Sequence, residues 1–355
     1  MAITVSAELA HLLDQTIAAK ASDLHLVVGI NPTLRIDGTL SPLMDEPVLD
    51  EKTAQQLIIG LFDEALRESY YQKKEIDFSF GYKEYRFRGN SYFQSGTCAL
   101  SLRLIPLEIR NFTELGLPPV LERFASSGQG FVIITGPTGH GKSTTLAAMI
   151  NHINEERRDR IITIEDPIEY VFKHKKSIIT QRELGQDTNS FSRALRASLR
   201  EDPDVVLVGE MRDLETVEAA LTIAETGHLV FTTLHTNSAA QTADRIIDIF
   251  PPHQQTQVRA QLASVLLGVV SQRLLPKIGG GRVAAVELMI ANSAVRNTIR
   301  EGKTHQLPNI IQTSAAEGMI SLDKVLAELV SKGEITIDNA LMWSLDPKAL
   351  KMMVY

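Results

Sequence analysis

The chain has 355 residues, enough for two domains at about 100–200 residues each, with Lys+Arg 36 against Asp+Glu 43 and a formal net charge of −7. An apolar content of 44% with 22% charged residues excludes a disordered, collagen-like or coiled-coil chain, and the acidic balance argues against a non-specific nucleic-acid binder. The single cysteine, Cys98, can form neither an internal disulfide nor a cysteine-ligated zinc site, which fits a reducing, cytoplasmic setting.

In chain order, Ser6 caps a helix whose Leu9, Leu12, Leu13 and Ile17 share one face, unlike the basic and continuously apolar regions of a signal peptide. No window reaches the roughly 20 consecutive apolar residues of a membrane span. Alternation predicts a strand over 22–28, and 33–36 turns at Asp37-Gly38 as a hairpin. Helical periodicity covers 50–71, and residues 76–80, 85–93 and 99–105 alternate as antiparallel strands. Residues 1–105 thus read as a small α+β domain without an enzyme signature. Pro106, Pro118 and Pro119 mark 106–119 as a linker. Beyond it, apolar strands at 131–135, 161–165, 205–208 and 229–233 alternate with helices, the signature of an α/β domain with a parallel sheet, spanning 120–291. The chain reads as mostly helical from about Pro251, with 292–355 a helical C-terminal region.

Gly136-Pro137-Thr138-Gly139-His140-Gly141-Lys142-Ser143 matches G-x-x-x-x-G-K-[ST] at every fixed position, between a predicted strand and a predicted helix. Glycines let backbone N–H groups close around phosphate oxygens. Lys142 would reach the β- and γ-phosphates of ATP and Ser143 would ligate Mg²⁺. Gly136, Thr138, Gly139, His140, Gly141 and Thr144 complete the cradle, and the helix N-terminus adds a favourable dipole. Hydrolysis also needs a carboxylate, and two acidic clusters end predicted strands: Glu165-Asp166-Pro167-Ile168-Glu169 and Gly209-Glu210-Met211-Arg212-Asp213. Glu210 takes the Walker B position, with Gly209 where an Asp usually precedes it; it would act on Mg²⁺ or as general base. Glu165 would polarise the attacking water or support the metal. His228 and His235 bracket one strand; at ~3.3 Å per residue they lie about 23 Å apart and cannot share a metal. His228 reads equally well as structural, whereas His235, at the carboxyl end, is placed to sense the γ-phosphate.

The order of P-loop, Ile164-Glu165-Asp166-Pro167-Ile168-Glu169, Gln181-Arg182-Glu183-Leu184-Gly185, Glu210-Met211-Arg212-Asp213 and Gly227-His228 resembles the secretion ATPase superfamily. Within it, the chain is similar to the twitching-motility ATPases that retract type IV pili. The resemblance implies a homohexamer in which a PAS-like N-terminal domain joins a RecA-like P-loop motor. It also implies docking, without a transmembrane segment, on a platform protein at the cytoplasmic face of the inner membrane. Assembly and type II secretion ATPases carry an additional N-terminal domain and often a four-cysteine zinc site, whereas this sequence opens at the PAS-like unit and has only Cys98. Ala294-Val295-Arg296-Asn297-Thr298 resembles the Ala-Ile-Arg-Asn-Leu motif of retraction ATPases, with Val295 and Thr298 as departures that leave an accessory role as the alternative. Finally, the resemblance implies that two N-terminal-domain arginines fifteen residues apart, here Arg88 and Arg103, reach nucleotide phosphates. Arg193, Arg196 and Arg200 are competing donors.

A RecA-like nucleic-acid translocase is a more remote alternative. Against it stand the net charge of −7 and the lack of a basic stretch interleaved with aromatics, the densest basic run, Lys173-His174-Lys175-Lys176, reading as a solvated loop. A nucleotide-binding regulator without turnover is a second alternative. No Asn-Lys-x-Asp tetrapeptide suggests guanine specificity.

Overall fold

The computed structural model describes residues 5–36 and 38–354, so the predicted turn residue Asp37 lies outside the described residues. Two compact units divide between Glu108 and Ile109.

The N-terminal unit runs α1 (Ala7–Ala18), β1 (Asp23–Leu26), β2 (Thr33–Ile36), β3 (Thr39–Pro42), α2 (Glu51–Ile59), α3 (Glu64–Lys73), β4 (Glu75–Tyr82), β5 (Tyr85–Gln94) and β6 (Thr97–Ile105). Among the described residues its six strands form one antiparallel sheet, ordered β3-β2-β1-β6-β5-β4. Side chains alternate between the two faces of a strand. Leu24, Leu26, Phe78, Phe80, Phe87, Leu100 and Leu102 join Leu9, Leu13, Ile58 and Tyr70 of the helices in a core. Ser6 caps α1 as expected, accepting from Leu9 N at 3.2 Å. The single helix predicted over 50–71 is two helices. Leu61 and Phe62 dip into the core, and Asp63 restarts the helix by accepting from Leu66 N at 2.8 Å.

The second unit contains α4 (Val120–Ala125), β7 (Gly130–Thr135), α5 (Lys142–Glu156), β8 (Arg160–Glu165), β9 (Ile178–Glu183), α6 (Phe191–Ser198), β10 (Val205–Val208), α7 (Leu214–Glu225), β11 (Leu229–Leu234), α8 (Ala239–Asp248), α9 (Pro252–Val265), β12 (Leu266–Pro276) and β13 (Arg282–Ile290). Five helices follow: α10 (Ser293–Arg300), α11 (Leu307–Thr313), α12 (Leu322–Ser331), α13 (Ile337–Trp343) and α14 (Pro347–Val354). Seven strands among the described residues form the sheet β13-β12-β7-β11-β10-β8-β9, parallel except for edge strand β13. Ile133, Val206, Val208 and Val230 face α7, α8 and α9, whereas Val132, Ile134, Val205, Leu207 and Phe231 face α4 and α5. Burial on both faces explains why these strands read as unbroken apolar runs. A satellite core of Leu275, Ala285, Leu322, Leu326 and Leu350 seats the last helices on the β12–β13 hairpin.

That hairpin corrects the expectation of a mostly helical chain from Pro251. Residues 266–290 continue the sheet, with β12 hydrogen-bonded parallel to β7. Strand β9 also escaped the sequence pattern. Among the described residues no helix is long and apolar enough to cross a membrane.

Candidate active site

β7 lies between β11 and β12, and the glycine loop leaves its carboxyl end, where crevices form in parallel sheets. Gly136, Gly139 and Gly141 take φ of +139°, +80° and +82°, values side chains disfavour. No side chain caps α5, so its first N–H groups are open to a ligand. Lys142 is buried and folds back into the loop, its Nζ donating to Gly136 O at 2.9 Å and Pro137 O at 3.0 Å. Burial pushes its ammonium below the usual lysine range, the Glu210 carboxylate opposes this, and the Arg273 guanidinium adds to it. Thr138 and Ser143 are exposed, and Thr144 Oγ1 meets the Tyr170 hydroxyl at 2.8 Å.

Glu165 ends β8 and is buried. Its Oε1 accepts from Thr163 Oγ1 at 2.6 Å and Gln181 Nε2 at 3.2 Å, and Oε2 from Glu169 N at 3.4 Å. Desolvation outweighs these bonds and raises its pKa. Glu210 follows β10, half-buried, with Oε1 2.6 Å from Arg212 Nη2 and Oε2 3.5 Å from His235 Nε2. At Gly209, where an Asp is usual, a Cβ would lie 3.2 Å from Glu165 Cα on the neighbouring strand, a tight contact. Lys142, Glu210, His235 and Arg212 therefore share one cluster. His228 sits at the opposite end of β11, with Nδ1 2.9 Å from Ile223 O and 3.0 Å from Thr226 Oγ1, a helix-end contact.

Sequence reasoning missed the residues supplied by β12. Gln272 and Arg273, both buried, interrupt an apolar run, and that interruption was the available signal. Gln272 Nε2 donates to His140 O at 2.8 Å and its Oε1 accepts from Thr145 Oγ1 at 2.7 Å. Arg273 donates to Asn237 O at 2.5 Å, holding the segment after His235. The His140 ring is turned to this strand, accepting from Leu274 N at 3.0 Å and packing edge-on against Trp343 of α13 with ring centres 4.8 Å apart. Its side chain is thus committed to the scaffold, leaving its backbone for any phosphate contact.

Arg88 and Arg103 belong to the N-terminal unit, where they stand directly opposite each other on β5 and β6. Arg103 Nε lies 2.9 Å from Asp23 Oδ1, and this side chain is 63% exposed. Of the competing arginines, Arg196 lies 3.5 Å from Glu215, and Arg193 and Arg200 are exposed. Lys175 and Lys176 of the basic run pair with Glu155 and Glu156 on α5. In the 294–298 motif, Val295 and Thr298 are buried. Arg296 donates to the carbonyls of Ala291, Ala263, Ser264 and Leu266, pinning α10 to the end of α9 and the first residue of β12.

A strand–glycine loop–helix unit on a parallel sheet, with carboxylates at the ends of two neighbouring strands, defines a P-loop ATPase. Residues 3–280 match the type II/IV secretion system protein family, and the chain belongs to that family. It is 49% identical over 321 residues to the type IV pilus retractation ATPase PilT of Pseudomonas aeruginosa, covering 90% of this chain and 93% of that one. Identity to the twitching motility protein of Neisseria gonorrhoeae is 48%, over 87% of this chain and 83% of the relative. The crystal structure of the pilus retraction motor PilT with bound ADP superposes with a TM-score of 0.91 at 50% identity, covering 97% of this chain and 99% of that one.

Proposed function

We propose that this protein is the ATP-hydrolysing motor of type IV pilus retraction, acting as a homohexamer on a platform protein at the cytoplasmic face of the inner membrane. The observation that carries the ATPase part is the folded-back Lys142. Its buried ammonium is matched only by two carbonyls and a neighbouring carboxylate, inside a loop whose left-handed glycines free its N–H groups. A triphosphate supplies the anion this arrangement lacks. The retraction part rests on the names carried by the two relatives and the solved structure.

Mg²⁺ fits the donor set available, the exposed Ser143 hydroxyl and the Glu210 carboxylate, both hard oxygen ligands. When bound it neutralises phosphate charge. Lys142 and the N-terminus of α5 hold the phosphates. Glu210, beside the cations Lys142 and Arg212, suits the metal. Glu165, made more basic by burial, suits proton acceptance from the attacking water. His235, 3.5 Å from Glu210, couples that carboxylate to the loop after β11. Arg88 and Arg103 would supply further cations to the nucleotide phosphates, the role the family resemblance implies for them.

Two measurements test this. Phosphate release should be ATP-dependent, lost in Lys142→Ala and unaffected by DNA; stimulation by DNA would favour a translocase. Deleting the gene should leave cells with excess surface pili and no twitching. Bald cells would mean assembly, and normal twitching an accessory role.

A further inference from the structure

The glycine loop packs against Gln272 of β12, a buried residue outside the motif. The first and last glycines of Gly136-Pro137-Thr138-Gly139-His140-Gly141 both abut Gln272 of β12. A Cβ at 136 would lie 2.3 Å from the Gln272 backbone carbonyl oxygen, a contact any residue at 272 would make, whereas a Cβ at 141 would lie 2.8 Å from the side-chain Nε2. Gln272 is 3% exposed, with its amide carbonyl engaged by Thr145 Oγ1 in the first turns of α5 and its amide nitrogen donating to His140 O.

That second bond bears on phosphate binding. A peptide unit is planar and trans, so its C=O and N–H point in opposite directions. Drawing the His140 carbonyl toward β12 therefore turns the Gly141 N–H away from β12. The Leu274 N–H fastens the His140 ring to the same strand. One peptide of the loop is thus oriented from the β12 side, by a buried side chain.

The geometry points to Gln272 as the positioning residue of the glycine loop, presetting its N–H groups for an anionic phosphate. This rests on the nucleotide reading of the loop. The test is isothermal titration of the full-length protein with ADP, together with steady-state ATP kinetics. Gln272→Met keeps the volume and removes both side-chain bonds. It should weaken ADP binding about tenfold and raise KM for ATP comparably, with a smaller change in kcat and a melting temperature within a few degrees of wild type. Thr145→Val, which frees only the amide oxygen, should give a smaller loss in the same direction. A lower melting temperature with wild-type affinity would make Gln272 merely structural and overturn the assignment. If Gln272→Met does not fold, wild-type affinity in Thr145→Val overturns it instead. Failure of the nucleotide reading looks different: wild-type protein would not bind ADP at all.

Discussion

In the N-terminal unit neighbouring strands run in opposite directions, and charged side chains stand in mid-strand. Arg35, Asp23, Arg103, Arg88 and Ser79 form one row across β2, β1, β6, β5 and β4, on the face away from the core. In the second unit six strands run the same way, and the polar groups leave from their ends: the 136–143 loop after β7, Glu165 at the tip of β8, Glu210 beyond β10 and His235 beyond β11. A parallel sheet gathers carboxyl ends on one edge, so residues far apart in sequence converge on a point. An antiparallel sheet spreads its polar residues over a face. The first arrangement suits bond-making chemistry, and the second suits recognition of charge.

If convergence at strand ends is where catalysis resides, the largest losses come from there. Lys142→Ala should lower turnover by at least about 10²–10³-fold without unfolding the chain, since its ammonium contacts the loop and not the core. Phosphate release alongside circular dichroism checks this, and a wild-type rate would sink the P-loop assignment. Glu210→Gln comes next, at about 10²-fold in turnover with ATP still bound. Glu165→Gln should act in the same direction, and normal turnover in both would place the catalytic carboxylate elsewhere.

The row of arginines should matter less. In the Arg88→Ala, Arg103→Ala double variant turnover should drop about tenfold or more, with a smaller change in nucleotide affinity and an unchanged mass by light scattering. Unchanged turnover with the assembly intact would leave that face without a part in the reaction. The smallest effect concerns Glu287, whose pKa burial, with Asp323 nearby, raises from 4.5 to about 7 against the Ala239 N–H and Arg273. Between those values the folded carboxyl keeps a proton that the unfolded chain has released, so stability falls as pH rises across the window and stays low above it. Glu287→Gln, which retains an oxygen for Ala239 N–H, should abolish that slope. Relative to wild type its melting temperature should rise by several degrees between about pH 5 and about pH 8. Parallel melting curves would show that Glu287 titrates normally.

The placement of the candidate site at the strand ends was legible in the sequence because a P-loop needs its glycines and lysine at fixed spacing, and because Glu165, Glu210 and His235 each close an apolar run. What was lost had physical reasons. β12 is buried along nearly its whole length, so it shows no alternation, and it follows α9 without a polar break. A buried strand and a buried helix then look alike. Gln272 and Arg273 were hidden with it. The division between α2 and α3 was obscured because the intervening Leu61 and Phe62 are core residues that keep a helical pattern going. The register that sets Arg88 against Arg103 depends on strand pairing, and their spacing in sequence carried no trace of Asp23 beside them.

Trp343 is the chain's one tryptophan, and its ring packs against His140 while the Arg273 guanidinium lies 5.8 Å from its centre. All indole emission therefore originates beside the glycine loop and the strand behind it. A change in the loop alters the surroundings of a single fluorophore, without contributions from other sites to subtract. Unlabelled protein can thus be followed optically through ligand capture, turnover and release, one reporter for each loop.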